Sequence, residues 1–296
     1  MKFIIERILI PLDFSETSNL ALDHGIYMAK LYNAEIHLLH VHETLLYTAG
    51  IDYSMVNLNP RFELEIEKNF EYKLKETAEK LFTQHNIRVK TIQEKGRAYH
   101  VIVDTAEKIN ANLIIMGTHG VSGVQEFFAG SNAFRVATSS PCPVLTLQQH
   151  TKEPGFKNII MPIDDSFASR QKLNHCIELA HKYNAKVHIA GLMTGDDTEF
   201  IRKFNLKIEQ AEEYLQAHNV SFSTKLIEGE NLATMTMDYA KECNGDLIVI
   251  MTEQEPNIKA LFMGSFAQQV VNHSKIPVLS IRPEVQEYEN QSFNPI

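Results

Sequence analysis

Short apolar runs bounded by turn residues recur along this chain and alternate with longer segments of helical period. RILIPLD alternates and then runs apolar, as a strand buried on both faces of a sheet does. In SETSNLALDHGIYMAKLYN, residues Leu20, Ala21, Ile26, Ala29 and Leu31 give a broad apolar helix face, and Ser15 is placed to cap it. AEIHLLHV predicts a second strand. A charged helix from about Arg61 to His85, a strand IRVKTIQE, then Gly96 before a helix through Ala106, the run LIIM, a helix after Gly130 and a closing PVLTL complete the first half. Strands and helices in this alternation predict a parallel sheet covered on both faces. Residues 44–60, TLLYTAGIDYSMVNLNP, show no period and read as a mobile flap or a partner-binding segment.

The second half repeats the first. Pro11 falls on Pro162, Asp13 on Asp164, Ser15 on Ser166, and Tyr32-Asn33-Ala34 on Tyr183-Asn184-Ala185. Further on, LIIMG lies over LIVIM, Gly130-Ser131 over Gly264-Ser265 and PVLTL over PVLSI. Two domains, residues 1–150 and 151–296, follow from this repeat. They meet in QQHTKEPGFK, whose Pro154 and Gly155 suit a linker.

The stretch with the most chemistry is LIIMGTHGVSGVQEFFAGSNAF. A buried strand delivers the backbone into Gly117 and Gly120, and the chain returns at Gly130-Ser131 where a helix begins. Glycines at a strand exit let backbone approach a ligand, and a helix start offers free N–H groups and a positive dipole end to an anion. No Gly-Lys-Ser/Thr closes this loop, and its spacing is not GxGxxG, so neither a P-loop nor a dinucleotide loop is present. Gly117, two residues, Gly120, nine residues, then Gly130-Ser131 resembles the ATP-binding signature of the universal stress protein family, and SSPCPVLTL resembles that family's closing strand.

The resemblance covers nearly all of both halves and implies a tandem member. It implies two open, doubly wound, five-stranded α/β domains of strand order 3-2-1-4-5, which we expect to pack as a pseudo-dimer through PVLTL and PVLSI. It implies that Asp13, with Pro11 beside it, accepts hydrogen bonds from ribose or adenine, and that Val41 offers its backbone to the adenine edge. Met116 and Gly117 would flank the sugar, while Gly120, Gly130, Ser131 and Asn132 would hold the phosphates. The loop itself has no Lys or Arg, so a Mg²⁺ or Mn²⁺ ion held by phosphates and water is the expected counter-charge of ATP. Asp13 has a second reading as a brace for the helix after Ser15, since Asp164 persists in the second copy.

That second copy carries Met251 and Gln254 where Gly117 and Gly120 stand, with Glu253 and Glu255 alongside. Bulk and negative charge both oppose an anion there, so nucleotide is expected in the first half only. A net charge of −9 argues against nucleic acid and anionic membrane as partners. Cys142, Cys176 and Cys243 are far apart and without CxxC spacing, which suits a reducing cytoplasm. His40 and His42 share a strand face that His37 does not, so no metal site is assigned. PLDFSETS lacks the HxGH and SGGxDS signatures of nucleotide-transferring enzymes, and the expected role is a regulator rather than an enzyme. A slow ATPase and a nucleotide-independent scaffold are the alternatives, and a homodimer of the tandem chain and an unidentified protein are the further partners considered.

Overall fold

The computed structural model describes residues 3–43, 60–118, 131–149, 151, 153–166, 168–252 and 265–283. Residues 44–59, read above as a flap or partner-binding segment, and 119–130, with Gly120, Gly130, His119, Ser122, Phe127 and Phe128, lie outside them, as do 253–264. The first half runs β1 (Arg7–Pro11), α1 (Glu16–Tyr32), β2 (Glu35–His42), α2 (Pro60–His85), β3 (Val89–Lys95), α3 (Ala98–Lys108), β4 (Leu113–Gly117), α4 (Ser131–Ser139) and β5 (Val144–Leu147). The second runs β6 (Asn158–Ile163), a 3₁₀ turn (Ala168–Arg170), α5 (Leu173–Tyr183), β7 (Lys186–Met193), α6 (Thr198–Ala217), β8 (Phe222–Glu228), α7 (Leu232–Glu242), β9 (Leu247–Met251), α8 (Phe266–His273) and β10 (Val278–Ile281).

All ten strands join one sheet in the order β3-β2-β1-β4-β5-β10-β9-β6-β7-β8. Each half is therefore 3-2-1-4-5, and the second is the first turned about a pseudo-twofold axis. Every pairing is parallel except that of β5 with β10, where Thr146, Leu145 and Val144 face Val278, Leu279 and Ser280 in antiparallel register. The closing strands thus make the junction expected from PVLTL and PVLSI. Their side chains are buried throughout, as a central strand requires.

Helices cover both faces. On the side of α1, α2, α5 and α6 a single apolar cluster runs through both halves, from Leu74 and Met28 across Phe156 and Leu279 to Phe204 and Leu215. On the other side two clusters remain separate, one under α3 and α4 and one under α7 and α8. The polar stretch read as a linker is anchored near its end. Phe156 is buried and its ring lies 5.0 Å from that of Tyr183. Among the described residues no helix is long and apolar enough to cross a membrane.

The repeated Tyr-Asn-Ala has a backbone cause. Asn33 and Asn184 end α1 and α5 in the left-handed region, at φ 54° and 49°, where Asn is tolerated better than most residues. The following Ala34 and Ala185 are buried as the chain turns into the next strand.

Candidate functional site

In an open α/β sheet the ligand crevice lies at the carboxyl ends of the strands where the winding reverses, here between β1 and β4. The structure brings the described site residues to that edge. Pro11 ends β1 with Asp13 just beyond, Val41 is near the end of β2, Met116 and Gly117 end β4, and Ser131 and Asn132 open α4. Met116 is buried, whereas Pro11, Asp13, Val41, Gly117 and Asn132 are partly exposed.

The turn from β1 into α1 is braced locally. The Ser15 N–H donates to Asp13 Oδ1 at 3.0 Å, and Ser15 Oγ accepts from the Ser18 N–H at 3.3 Å as the helix cap. Phe14, between them, has φ 62°. The second half repeats the brace, with Asp164 Oδ1 accepting from the Ser166 N–H at 2.9 Å and hydroxyl at 2.6 Å. One Asp13 oxygen thus has a structural task whatever the ligand.

Gly117 is also fixed by packing. A Cβ there would stand 2.7 Å from both Cβ and Oγ1 of Thr17 and 3.0 Å from the Thr17 carbonyl carbon. Glycine lets the first turn of α1 lie against the end of β4 and narrows the crevice from that side. The next residue leads out of the first half. Thr118 Oγ1 donates to Gln148 Oε1 at 2.7 Å, and Gln148 Nε2 donates to the Val271 carbonyl in α8 at 3.1 Å. Thr118 and Gln148 are both buried.

Sequence reasoning missed the aromatic wall on the other side. His40 is buried and its ring stacks on Phe70 of α2 at 3.9 Å between centroids, with Phe14 5.8 Å from Phe70. Because Leu12 O can only accept, His40 Nδ1 carries the proton in their 2.7 Å hydrogen bond. Burial pushes the His40 imidazole below its usual pKa, and that hydrogen bond opposes the shift. Lys73 Nζ sits 5.5 Å from the ring centres of both Phe14 and Phe70, so a cation borders the crevice although the glycine loop has none. The signal for Lys73 was its spacing from Phe70, three positions along one helix face, which composition alone does not single out.

The second half builds the same edge differently. The counterpart of Glu16 is residue 167, yet α5 begins only at Leu173, after the 3₁₀ turn. Met251, in the register of Gly117, is buried. Lys172 and Cys176 are fully enclosed where α1 has Ala21 and Gly25. A Cβ on Gly25 would meet Ile10 Cδ1 at 2.2 Å, and in the second half Met161 stands where Ile10 does, beneath Cys176 in place of Gly25. The Lys172 ammonium donates to the Ser169 carbonyl, and burial lowers its pKa to about 8, against the pull of Asp164. Lys207 donates to the Asp165 carbonyl. The second half thus carries buried Met251 and Lys172 where the first has Gly117 and Ala21. Ser265 caps α8 by accepting from the Gln268 N–H at 3.2 Å, which accounts for its persistence.

Comparison with known proteins decides the family. The family model described as Universal stress protein family matches residues 5–148 and again 155–282. The chain belongs to the universal stress protein family. Universal stress protein YxiE of Bacillus subtilis is 30% identical over 149 residues, which are 49% of this chain and 100% of that protein. Universal stress protein MJ0577 of Methanocaldococcus jannaschii is 30% identical over 160 residues, 50% of this chain and 98% of its own length. A solved universal stress protein from Archaeoglobus fulgidus covers 95% of this chain and 98% of its own with a TM-score of 0.74 at 19% identity, a likeness of fold.

Proposed function

We propose that this universal stress protein binds ATP in its first half and serves as a stress-response regulator, with the second half as a ligand-free partner domain. The observation that carries this reading is the contrast between two equivalent crevices. In the first, Gly117 leaves no side chain at the end of β4, where Thr17 packs close, and in the second a buried Met251 stands at that position. Pro11, Asp13 and Val41 would meet the adenosine, and Ser131 and Asn132, at the positive end of α4, would meet the phosphates with Gly120 and Gly130. Lys73 adds charge at the crevice edge, and a Mg²⁺ or Mn²⁺ ion would be held mainly by phosphate oxygens and water. The output is conformational rather than catalytic, and Thr118–Gln148–Val271 is the path by which occupancy reaches the second half. The setting we propose is cytoplasmic.

Thermal unfolding with and without MgATP tests the reading. At a hundredfold excess over Kd, binding stabilises the fold by about 2.7 kcal/mol. The shift should vanish in a Gly130→Val, Ser131→Ala variant. Equal shifts in that variant and the native chain would place the nucleotide elsewhere, and no shift with any adenine nucleotide would favour a nucleotide-independent scaffold.

A further inference from the structure

At the opposite edge of the first half, near the amino ends of β1, β2 and β3, lies a cleft of about 610 Å³. Arg7, Glu35, His37 and Lys90 border it, with Ile92 and Ile109 as apolar lining. Arg7 pairs with Glu35 across β1 and β2, and His37 with Lys90 across β2 and β3. Glu35 Oε1 serves two partners, His37 Nε2 at 2.7 Å and Lys90 Nζ at 3.2 Å. The His37 side chain is only 5% exposed, and its Nδ1 is buried without a hydrogen-bond partner among the described residues.

The second half shows how such a knot closes when it has no ligand to serve. By strand register Asn158 stands for Arg7, Lys186 for Glu35, His188 for His37 and Ser223 for Lys90. His188 Nε2 meets Asn158 Oδ1 at 3.1 Å and Nδ1 meets Ser223 Oγ at 3.0 Å, so both ring nitrogens are satisfied. Asn158 Nδ2 also donates to the Asn244 carbonyl at 3.3 Å, as Arg7 Nε donates to the Asn110 carbonyl at 2.8 Å. The first half replaces the two short neutral partners by long cations. The Lys90 side chain is 64% exposed, and the Arg7 guanidinium spends only Nε on the described residues.

A buried imidazole left with one partner is unfavourable unless something else is gained. Two cations against one carboxylate also leave local positive charge on a chain of net charge −9. We propose that this cleft is a binding site for a small oxyanion, a carboxylate or phosphate group, held by Arg7 and Lys90. The planar guanidinium presents two adjacent N–H donors to such a group. Glu35 and His37 position Lys90 from behind. The site is separate from the nucleotide crevice, because Arg7 and Pro11 lie at opposite ends of β1, about 13 Å apart along a strand.

The test is calorimetric titration of the full chain with inorganic phosphate and, separately, with citrate, at constant ionic strength against sodium chloride. The Arg7→Asn, Lys90→Ser variant gives His37 the two short neutral neighbours that His188 has and should fold. The Lys80→Ser, Lys203→Ser variant removes two remote surface cations as the control for net charge. Saturable binding of either oxyanion, weakened about tenfold or more in the double variant and unchanged in the control, supports the site. Preference for phosphate over citrate, or the reverse, names the source. Equal binding by all three proteins, or none by the native chain at millimolar concentration, overturns the proposal. The MgATP response should be unaltered in the double variant, so this result stands apart from that for the nucleotide.

Discussion

Gly117 and Met251 occupy one register position in the two halves, and what each touches decides how a mutation there reads out. Since a Cβ at residue 117 meets Thr17 at 2.7 Å, Gly117→Ala should destabilise the fold by about 1–3 kcal/mol even without ligand. Chemical denaturation of the single variant, and of its combination with Thr17→Gly, measures this. Part of the loss should be recovered in the pair. A Gly117→Met variant therefore confounds folding with binding, which the glycine spacing alone does not reveal. Lys172 gives a second residue-scale prediction. Its pKa falls from 10.5 to about 8 on burial, so below pH 8 the folded state carries the full penalty, on the order of 3 kcal/mol. Between pH 8 and 10.5 the folded lysine loses its proton before the unfolded one, and the penalty disappears. Lys172→Met should accordingly be more stable than the native chain at pH 7, with the advantage shrinking toward pH 10.5. An advantage independent of pH would contradict the account.

The same amphipathic pattern makes α1 and α5, yet their first turns differ. Ser15 caps α1 directly, whereas the chain after Ser166 passes through a 3₁₀ turn before α5 starts. Strands, helices and the repeat were legible in the sequence because burial on both faces and the 3.6 period leave a pattern in every segment. The delayed start of α5 was not, because the same apolar pattern there carries a lysine, Lys172, that ends fully buried at the helix start. The ends of β1, β2 and β4 were likewise legible, and the structure places Asp13, Val41 and Gly117 at them. His40, Phe70 and Lys73 were not, since they meet only when α2 folds over β2. At this scale Gln148 links β5 to α8. Gln148→Leu should leave MgATP affinity within about twofold while abolishing any ATP-induced change in amide exchange in α8. Persistence of that change would remove Gln148 from the path.

On the scale of the molecule, the antiparallel β5–β10 junction turns two five-stranded sheets into one of ten. A chain cut to residues 1–150 would expose β5 along its full length together with the α1 surface that Phe156 and Tyr183 cover. Such an edge pairs with a copy of itself, so sedimentation should find a dimer of the fragment rather than a monomer. On the proposed reading, the tandem arrangement frees the second half from nucleotide chemistry while preserving the surface it presents to the first. The central claim is that one crevice of two takes ATP, and calorimetric titration of MgATP into the full native chain addresses it most directly. The account predicts a single-site isotherm with one nucleotide per chain. Two nucleotides per chain would contradict it, because Met251 would then have failed to exclude a nucleotide from the second half.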